Sequence, residues 1–149
     1  MRKHELGGCI ALLLVGILWA QDKKPFVVLP PGEAPAVNRL CSRVGPKGVD
    51  GGWTPEARDI ETLEVRLGDI KLKSRVAISS PFGFYRQYVS IVSGGRRLIY
   101  VNAFPPDINF KDWKTRLMDV CDGGPAFWGI QFDPVADKFS DLETKRTSH

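Results

Sequence analysis

Histidine, the commonest general base and a frequent zinc ligand, occurs in this sequence only at its two ends. His4 precedes an apolar N-terminal stretch, and His149 is the last residue. Ser–His–Asp and Cys–His catalysis need a histidine inside the fold, and so does a histidine-ligated zinc site. We therefore expect no histidine-based active site, and we assign no catalytic residue.

The three cysteines divide into one near the N-terminus and two in the body of the chain. Cys9 falls in the N-terminal stretch, which leaves Cys41 and Cys121 as a pair. In an oxidising compartment such a pair is most simply a disulfide. Closing so long a loop lowers the entropy of the unfolded chain and so raises its free energy by about 4 kcal/mol. The alternative is two free thiols, with Cys121 reactive on the glycine turn that follows it. We predict the Cys41–Cys121 disulfide.

Carboxylates are the other route to catalysis, because glycoside cleavage needs two of them facing each other. Glu61 and Glu64 lie three residues apart on a predicted helix. Further acidic residues flank turns, where Asp is favoured for backbone reasons: Asp119, Asp122 and Asp133. The alternative function is therefore a small carboxylate-based enzyme or a small-ligand carrier. The sequence does not single out two of these carboxylates as a catalytic pair.

The acidic residues near the C-terminus resemble a calcium-binding loop only in composition. They are Asp133, Asp137, Asp141 and Glu143. The alternating spacing and the central glycine of an EF-hand loop are missing, so solvated turn and strand residues are the simpler interpretation. The sequence also lacks a glycine-rich phosphate-binding loop. We expect no metal site and no cofactor.

Aromatic residues are the abundant chemical feature of the chain. Successive side chains of a strand point to opposite faces of a sheet, so Phe84 and Tyr85, or Phe127 and Trp128, cannot both face one helix. Two alternatives remain for the other face. Either the proline-rich segment that precedes the domain covers it, which we favour, or it is open to a partner. An open aromatic face or an exposed hairpin tip gives these candidate binding residues: Tyr85, Gln87, Tyr88, Arg96, Asn102 and Trp128.

One helix is predicted to start at Thr54. Thr54 suits the N-cap, Pro55 suits the first helical position and Gly68 suits the end. Apolar residues recur at spacings of three and four and form one face: Ala57, Ile60, Leu63, Leu67 and Ile70. This amphipathic helix must pack against another element.

Strand-like runs follow the helix. Residues 84–92 and 97–104 are aromatic and β-branched and flank Gly94-Gly95, which predicts a β-hairpin. Three further strands are predicted at residues 117–121, 126–132 and 138–142. The expected fold is α+β, with one amphipathic helix packed on a four- to five-stranded antiparallel meander.

The N-terminal residues 1–20 predict a cleavable signal peptide. Arg2 and Lys3 precede an apolar run from Cys9 to Ala20, which is shorter than the about 20 residues of a membrane-spanning helix. An uncleaved anchor is the alternative. We expect an exported protein, periplasmic or extracellular, with no stable membrane insertion after cleavage.

The rest of the chain divides by composition. Residues 21–52 are rich in proline and glycine, which excludes a helix and disfavours a central strand. We expect an extended lead-in segment there, held to the body through Cys41, with a short edge strand at residues 26–29. The α+β domain is predicted over residues 53–142, followed by a frayed polar tail at residues 143–149.

Three sequence motifs resemble those of a group of small exported bacterial proteins of unassigned function. They are YRQYV from Tyr85, IYVNAF from Ile99, and VCDGG from Val120 followed by FWG from Phe127. The layout is also similar to the cystatin type, in which a sheet wraps one helix. Ile91 stands where the cystatin Q-x-V-x-G segment has glycine, so this resemblance implies a fold and not protease inhibition.

The function predicted from the sequence is a non-catalytic binding module for a protein partner, of which an inhibitor-like role is one form. Abundant aromatic residues and the absence of histidine from the predicted domain favour it. The net charge of +4 is spread without a basic tract, so we expect no nucleic-acid partner.

Overall fold

The computed structural model describes residues 24–41, 43, 45–70, 80–108, 110–140 and 143–144. The predicted signal peptide lies outside this part of the chain, as do residues 145–149 of the tail. Within it, seven strands form one sheet, on which one α-helix packs. The elements are β1 (Phe26–Val28), β2 (Val49–Gly52), α1 (Ala57–Arg66), β3 (Tyr85–Ser93), β4 (Arg96–Phe104), β5 (Trp128–Asp133), β6 (Lys138–Phe139) and β7 (Glu143–Thr144).

The predicted hairpin forms the centre of the sheet. β3 and β4 pair antiparallel along their whole length, and Gly94 and Gly95 between them have φ angles of 56° and 75°. Positive φ at both central residues gives a turn whose twist matches that of the strands, and glycine adopts it at no steric cost. β5 pairs antiparallel with the other side of β4. The hairpin and the predicted fourth strand are confirmed.

Short strands cover both outer edges of this three-stranded centre. β1 pairs parallel and β2 antiparallel with β3, while β6 and β7 both pair with β5. The α+β class is confirmed, but the sheet has seven strands instead of four or five, and the frayed tail is wrong at β7. Strands of two to four residues are too short for alternation to show in a sequence. They nevertheless pair with the backbone groups of the edges.

The predicted helix is present, although it begins later than expected. Its N-cap is Glu56, whose N–H donates to the Asp59 carboxylate at 2.8 Å, so the prediction of Thr54 as N-cap is wrong by two residues. Leu63 and Leu67 are fully buried and contact the core on one face of the sheet. Val65 lies on the opposite side of the helix and is 80% exposed.

The lead-in segment is not wholly extended. A 3-10 helix spans Pro31–Arg39, which contradicts the expectation that its prolines exclude a helix. The φ angle of proline matches that of a 3-10 helix, and Pro31 at the first position needs no N–H bond. Ala34 and Val37 from this helix are buried against Val89 and Tyr100, on the face of the sheet opposite α1.

The disulfide between Cys41 and Cys121 is present, as predicted, with an S–S distance of 1.99 Å and a Cα–Cα distance of 4.9 Å. It joins residues 80 positions apart in the sequence. The lead-in segment is therefore bound covalently to the turn before β5, next to the sheet face that it covers.

Candidate functional site

The aromatic sheet face is closed and does not form an open recognition surface. Tyr88 and Trp128 are 0% exposed beneath α1, and Tyr85 is half-buried. The Tyr85 ring stacks on Trp113, with centroids 4.9 Å apart. The prediction that Tyr88 and Trp128 belong to an exposed binding face is therefore wrong, because the helix covers one face of the sheet and the lead-in segment covers the other.

Gln87 and Asn102, two further predicted binding residues, are also buried and hold the main chain instead. Asn102 Nδ2 donates to Gln87 Oε1 at 2.9 Å and to the Met118 carbonyl at 2.7 Å. Gln87 Oε1 accepts from Met118 N–H at 2.8 Å, and Gln87 Nε2 donates to the Arg116 carbonyl at 2.6 Å. Side chains thus replace a strand ladder, and the strand predicted at residues 117–121 is wrong.

Arg43 extends from the lead-in segment onto the same face, and sequence reasoning missed it. Its guanidinium is buried and donates from Nε to the Tyr100 hydroxyl at 2.7 Å and from Nη2 to Asn102 Oδ1. Gly129 lies directly beneath, where an added Cβ would approach the Tyr100 hydroxyl to 2.2 Å. An arginine in a proline-rich segment carries no sequence signal of burial, because the acceptors that stabilise it are distant in the chain.

A second buried arginine lies on the helix face. Arg86 Nε donates to the Tyr88 hydroxyl at 3.0 Å, and its Nη2 pairs with Glu64 at 3.3 Å. The Tyr88 hydroxyl in turn donates to Glu64. Burial raises the pKa of Tyr88 far above its usual value, and Glu64 adds to the shift while Arg86 opposes it, so the phenol stays neutral. Glu64 therefore joins the helix to the sheet.

Other carboxylates of the described residues also hold the structure. Glu33 accepts from Leu117 N–H at 2.9 Å, and Asp119 accepts from Cys41 N–H at 2.7 Å. Asp119 and the two disulfide sulfurs lie within 4.8 Å of one another, but sulfurs joined in a disulfide are not thiolate ligands. The carboxylate enzyme and small-ligand carrier stay predictions that these contacts do not favour.

An open cavity of about 450 Å³ lies beside the hairpin tip, between the start of α1 and the turn that joins β5 to β6. We call it the tip cleft. It is lined by Trp53, Thr54, Glu56, Arg58, Asp59, Thr62, Arg97, Pro134 and Val135. The Arg97 guanidinium lies 5.6 Å from the centroid of the Trp53 ring. Trp53 is oriented by its indole N–H, which donates to the Leu98 carbonyl at 3.0 Å.

The rim of the tip cleft is a turn held by two hydrogen bonds within it and by ion pairs to neighbouring elements. Asp133 Oδ1 accepts from the N–H groups of Val135 and Ala136 at 3.0 and 2.9 Å, and Asp133 Oδ2 pairs with Arg96. Arg66 from α1 pairs with Asp137 at 3.3 Å. The Val135 side chain, 92% exposed, is thus presented on a tightly held backbone.

Asp133 is the titratable group that organises this turn. Partial burial would raise the pKa of its carboxyl, but hydrogen bonds from the Ala136 N–H, Arg96 and the Val135 N–H together lower it below the usual value. The turn is therefore assembled at neutral pH with Asp133 ionised.

Of the predicted binding residues, only Arg96 is exposed, and it is paired with Asp133 at the hairpin tip. None of the residues that line the tip cleft was among them, including Trp53, Arg97 and Val135. The Asp133-Pro134 turn signal and the tryptophan just before the helix start were visible in the sequence. Their proximity was not, because it depends on the path of the chain.

Comparisons with models of protein families, with curated proteins and with solved structures found no match. Membership of the group of small exported bacterial proteins and the cystatin-like layout therefore stay predictions. Across the described residues, no helix combines the length and the hydropathy that crossing a bilayer requires. The fold itself defines a disulfide-linked α+β protein whose sheet is covered on both faces.

Proposed function

We propose that this protein is an exported, non-catalytic module that binds a segment of another protein in the tip cleft. The observation that carries this proposal is the position of the Arg97 guanidinium over the Trp53 ring, within the same open cleft as the exposed Val135. Tryptophan and arginine are enriched among the residues that dominate protein-binding energy. The cleft also lies beside the hairpin tip, and the tip was one of the two surfaces expected from the sequence.

The held turn supports recognition by lowering its entropic cost. Because Asp133 already accepts from the backbone N–H groups of Val135 and Ala136, binding would immobilise few additional groups there. The mixed lining of apolar and charged side chains suits a polypeptide segment, which carries both kinds of group.

The proposed export is compatible with two features of the described residues. The Cys41–Cys121 disulfide persists most readily in an oxidising compartment, and both cysteines are exposed to solvent. N-terminal sequencing of the protein secreted by its own cells would test this part, because cleavage after Ala20 leaves Gln21 at the new N-terminus. Retention of Met1 on a cytosolic protein would contradict export.

The binding proposal is tested by selecting a random peptide library, displayed on phage, against the folded protein. Enriched peptides are synthesised, and their affinities are measured by fluorescence anisotropy. We expect Val135→Ser and Arg97→Ala each to weaken binding by about tenfold or more, since both remove contacts in the cleft.

Matched substitutions outside the cleft provide the controls. Val65→Ser changes a valine that is 80% exposed on α1, and Arg116→Ala changes an exposed arginine near Gln87. We expect both to keep wild-type affinity within about twofold, as for residues outside an interface. Failure to enrich any peptide, or equal binding by wild type and Val135→Ser, would overturn the proposal.

A further inference from the structure

We infer that the segment bound in the tip cleft presents a carboxylate to Arg97, next to an apolar side chain that contacts Trp53 and Val135. This inference rests on the proposed function and specifies the chemistry of its partner. It follows from which of the charged side chains in and beside the cleft already have a partner of opposite charge or a hydrogen-bond partner.

Arg97 is the first of these groups. Its guanidinium is exposed and lies over the Trp53 ring, and among the described residues it forms no ion pair. The attraction between a guanidinium and an aromatic face uses none of the N–H groups as hydrogen-bond donors, so they remain available to a carboxylate. The indole thus orients the cation without using its hydrogen-bond donors.

The acidic side chains of the cleft already have partners. The Asp59 carboxylate accepts from the Glu56 N–H at 2.8 Å, and Glu56 pairs with Arg58 at 3.0 Å. Asp59 therefore caps the start of α1, and the charges of Glu56 and Arg58 balance each other. Neither acidic group pairs with Arg97.

The neighbouring Arg96 does not duplicate this cation. Successive residues of a strand point to opposite faces, so Arg96 and Arg97 lie on different sides of β4. Arg96 is paired with Asp133 there. Among the described residues that line the cleft, Arg97 is therefore the arginine without a carboxylate, and a carboxylate from the partner complements it.

The apolar part of the ligand follows from the same geometry. Trp53 and Pro134 line the cleft with Val135, whose side chain is almost fully exposed. Burying a methyl-rich side chain of the partner against them removes apolar surface from water, whereas a fully acidic segment would leave it exposed. An acidic residue beside an aliphatic or aromatic residue fits both requirements.

The test is a charge-reversal selection. The same phage-displayed library is selected in parallel on wild type, Arg97→Glu and Arg116→Glu, which both change the net charge by the same amount. We expect wild type and Arg116→Glu to enrich Asp or Glu beside an apolar residue, and Arg97→Glu to enrich Lys or Arg there. In a synthetic wild-type-selected peptide, replacing the acidic residue by its amide should weaken binding by about tenfold.

The outcomes separate this inference from the proposed function. Two results would overturn the inference alone, provided that peptide binding depends on Val135. Either the enriched peptides contain no excess of Asp or Glu, or wild type and Arg97→Glu enrich the same charged residues. Peptides whose binding is indifferent to Val135→Ser would overturn the proposed function. Thermal unfolding of each variant checks that it folds, and Arg97 is exposed enough for a charge reversal to leave the core intact.

Discussion

Single polar residues hold irregular segments of this protein against its sheet. Arg43 binds Tyr100 and Asn102, and Gln87 binds the main chain of the loop before β5. Burying a guanidinium or an amide costs free energy unless its donors and acceptors are paired. Arg43 is paired through Nε and Nη2, while its buried Nη1 has no hydrogen-bond partner among the described residues. The residue packed against Arg43 and Tyr100 must be small, and it is Gly129.

Gly129 tests this argument at one position. We expect Gly129→Ala to lower the free energy of unfolding by about 1–3 kcal/mol, because the new Cβ would approach the Tyr100 hydroxyl to 2.2 Å and Arg43 Nε to 2.7 Å. Urea denaturation followed by fluorescence measures the change. Gly51→Ala in β2 is the matched control, since its Cβ would meet nothing within 4 Å. Equal stability of the two variants would contradict the crowding at Gly129.

Among the elements, the turn between β5 and β6 presents the exposed Val135 to the candidate site. Its backbone is held by a carboxylate, Asp133, that accepts from two N–H groups and an arginine. Asp137 in the same turn has a φ angle of 49°, a left-handed conformation that aspartate adopts more readily than most residues. The turn therefore depends on the ionised state of one side chain.

This dependence predicts how stability changes with pH. The folded-state pKa of Asp133 lies below its usual value, so its contribution is complete above the unfolded pKa of about 4 and is lost as the pH falls through the folded pKa. We expect the stability difference between wild type and Asp133→Asn to be constant near neutral pH and to shrink below about pH 4. Urea denaturation at several pH values measures it.

The control for the pH prediction is Asp107→Asn, at an exposed carboxylate outside this turn. This variant loses one carboxylate without changing the turn, so it measures the effect of removing a charge alone. A pH of 2 lies well below the ordinary pKa of an aspartate. If the stability difference between wild type and Asp133→Asn stayed constant down to that pH, the structural role assigned to the carboxylate would be wrong.

At the scale of the whole molecule, two apolar cores lie on opposite faces of one sheet. One contains Leu63 and Trp128 under α1, and the other contains Val37 and Tyr100 under the lead-in segment. The lead-in segment contributes to the second core through a 3-10 helix and short edge strands, and the Cys41–Cys121 disulfide holds it in place. Removing that covalent link should therefore affect the whole molecule.

We expect the double variant Cys41→Ser with Cys121→Ser to lose about 4 kcal/mol of unfolding free energy, because the unfolded chain regains the entropy of an open loop. Both cysteines are exposed, so the substitution removes little packing. Urea denaturation of the variant is compared with that of wild type before and after phosphine reduction. A wild type whose stability is unchanged by complete reduction would show that the disulfide contributes nothing.

Features that depend on neighbours in the chain were predictable from the sequence. The hairpin around Gly94 and Gly95 and the apolar face of α1 follow from local spacing and turn chemistry. The disulfide followed from there being two cysteines outside the N-terminal stretch. The start of the helix was misplaced because threonine is a preferred N-cap residue and glutamate is not, whereas the contact of the Glu56 N–H with Asp59 places the N-cap at Glu56.

The sequence by itself determined the α+β class, the central hairpin and the cysteine pairing, because each is set by short-range patterns or by composition. Only the tertiary structure decided that Tyr88 and Trp128 are interior, that the lead-in segment forms a second core, and that Trp53, Arg97 and Val135 meet in one cleft. These outcomes depend on contacts between residues far apart in the chain, and burial follows from the sum of such contacts and not from residue type.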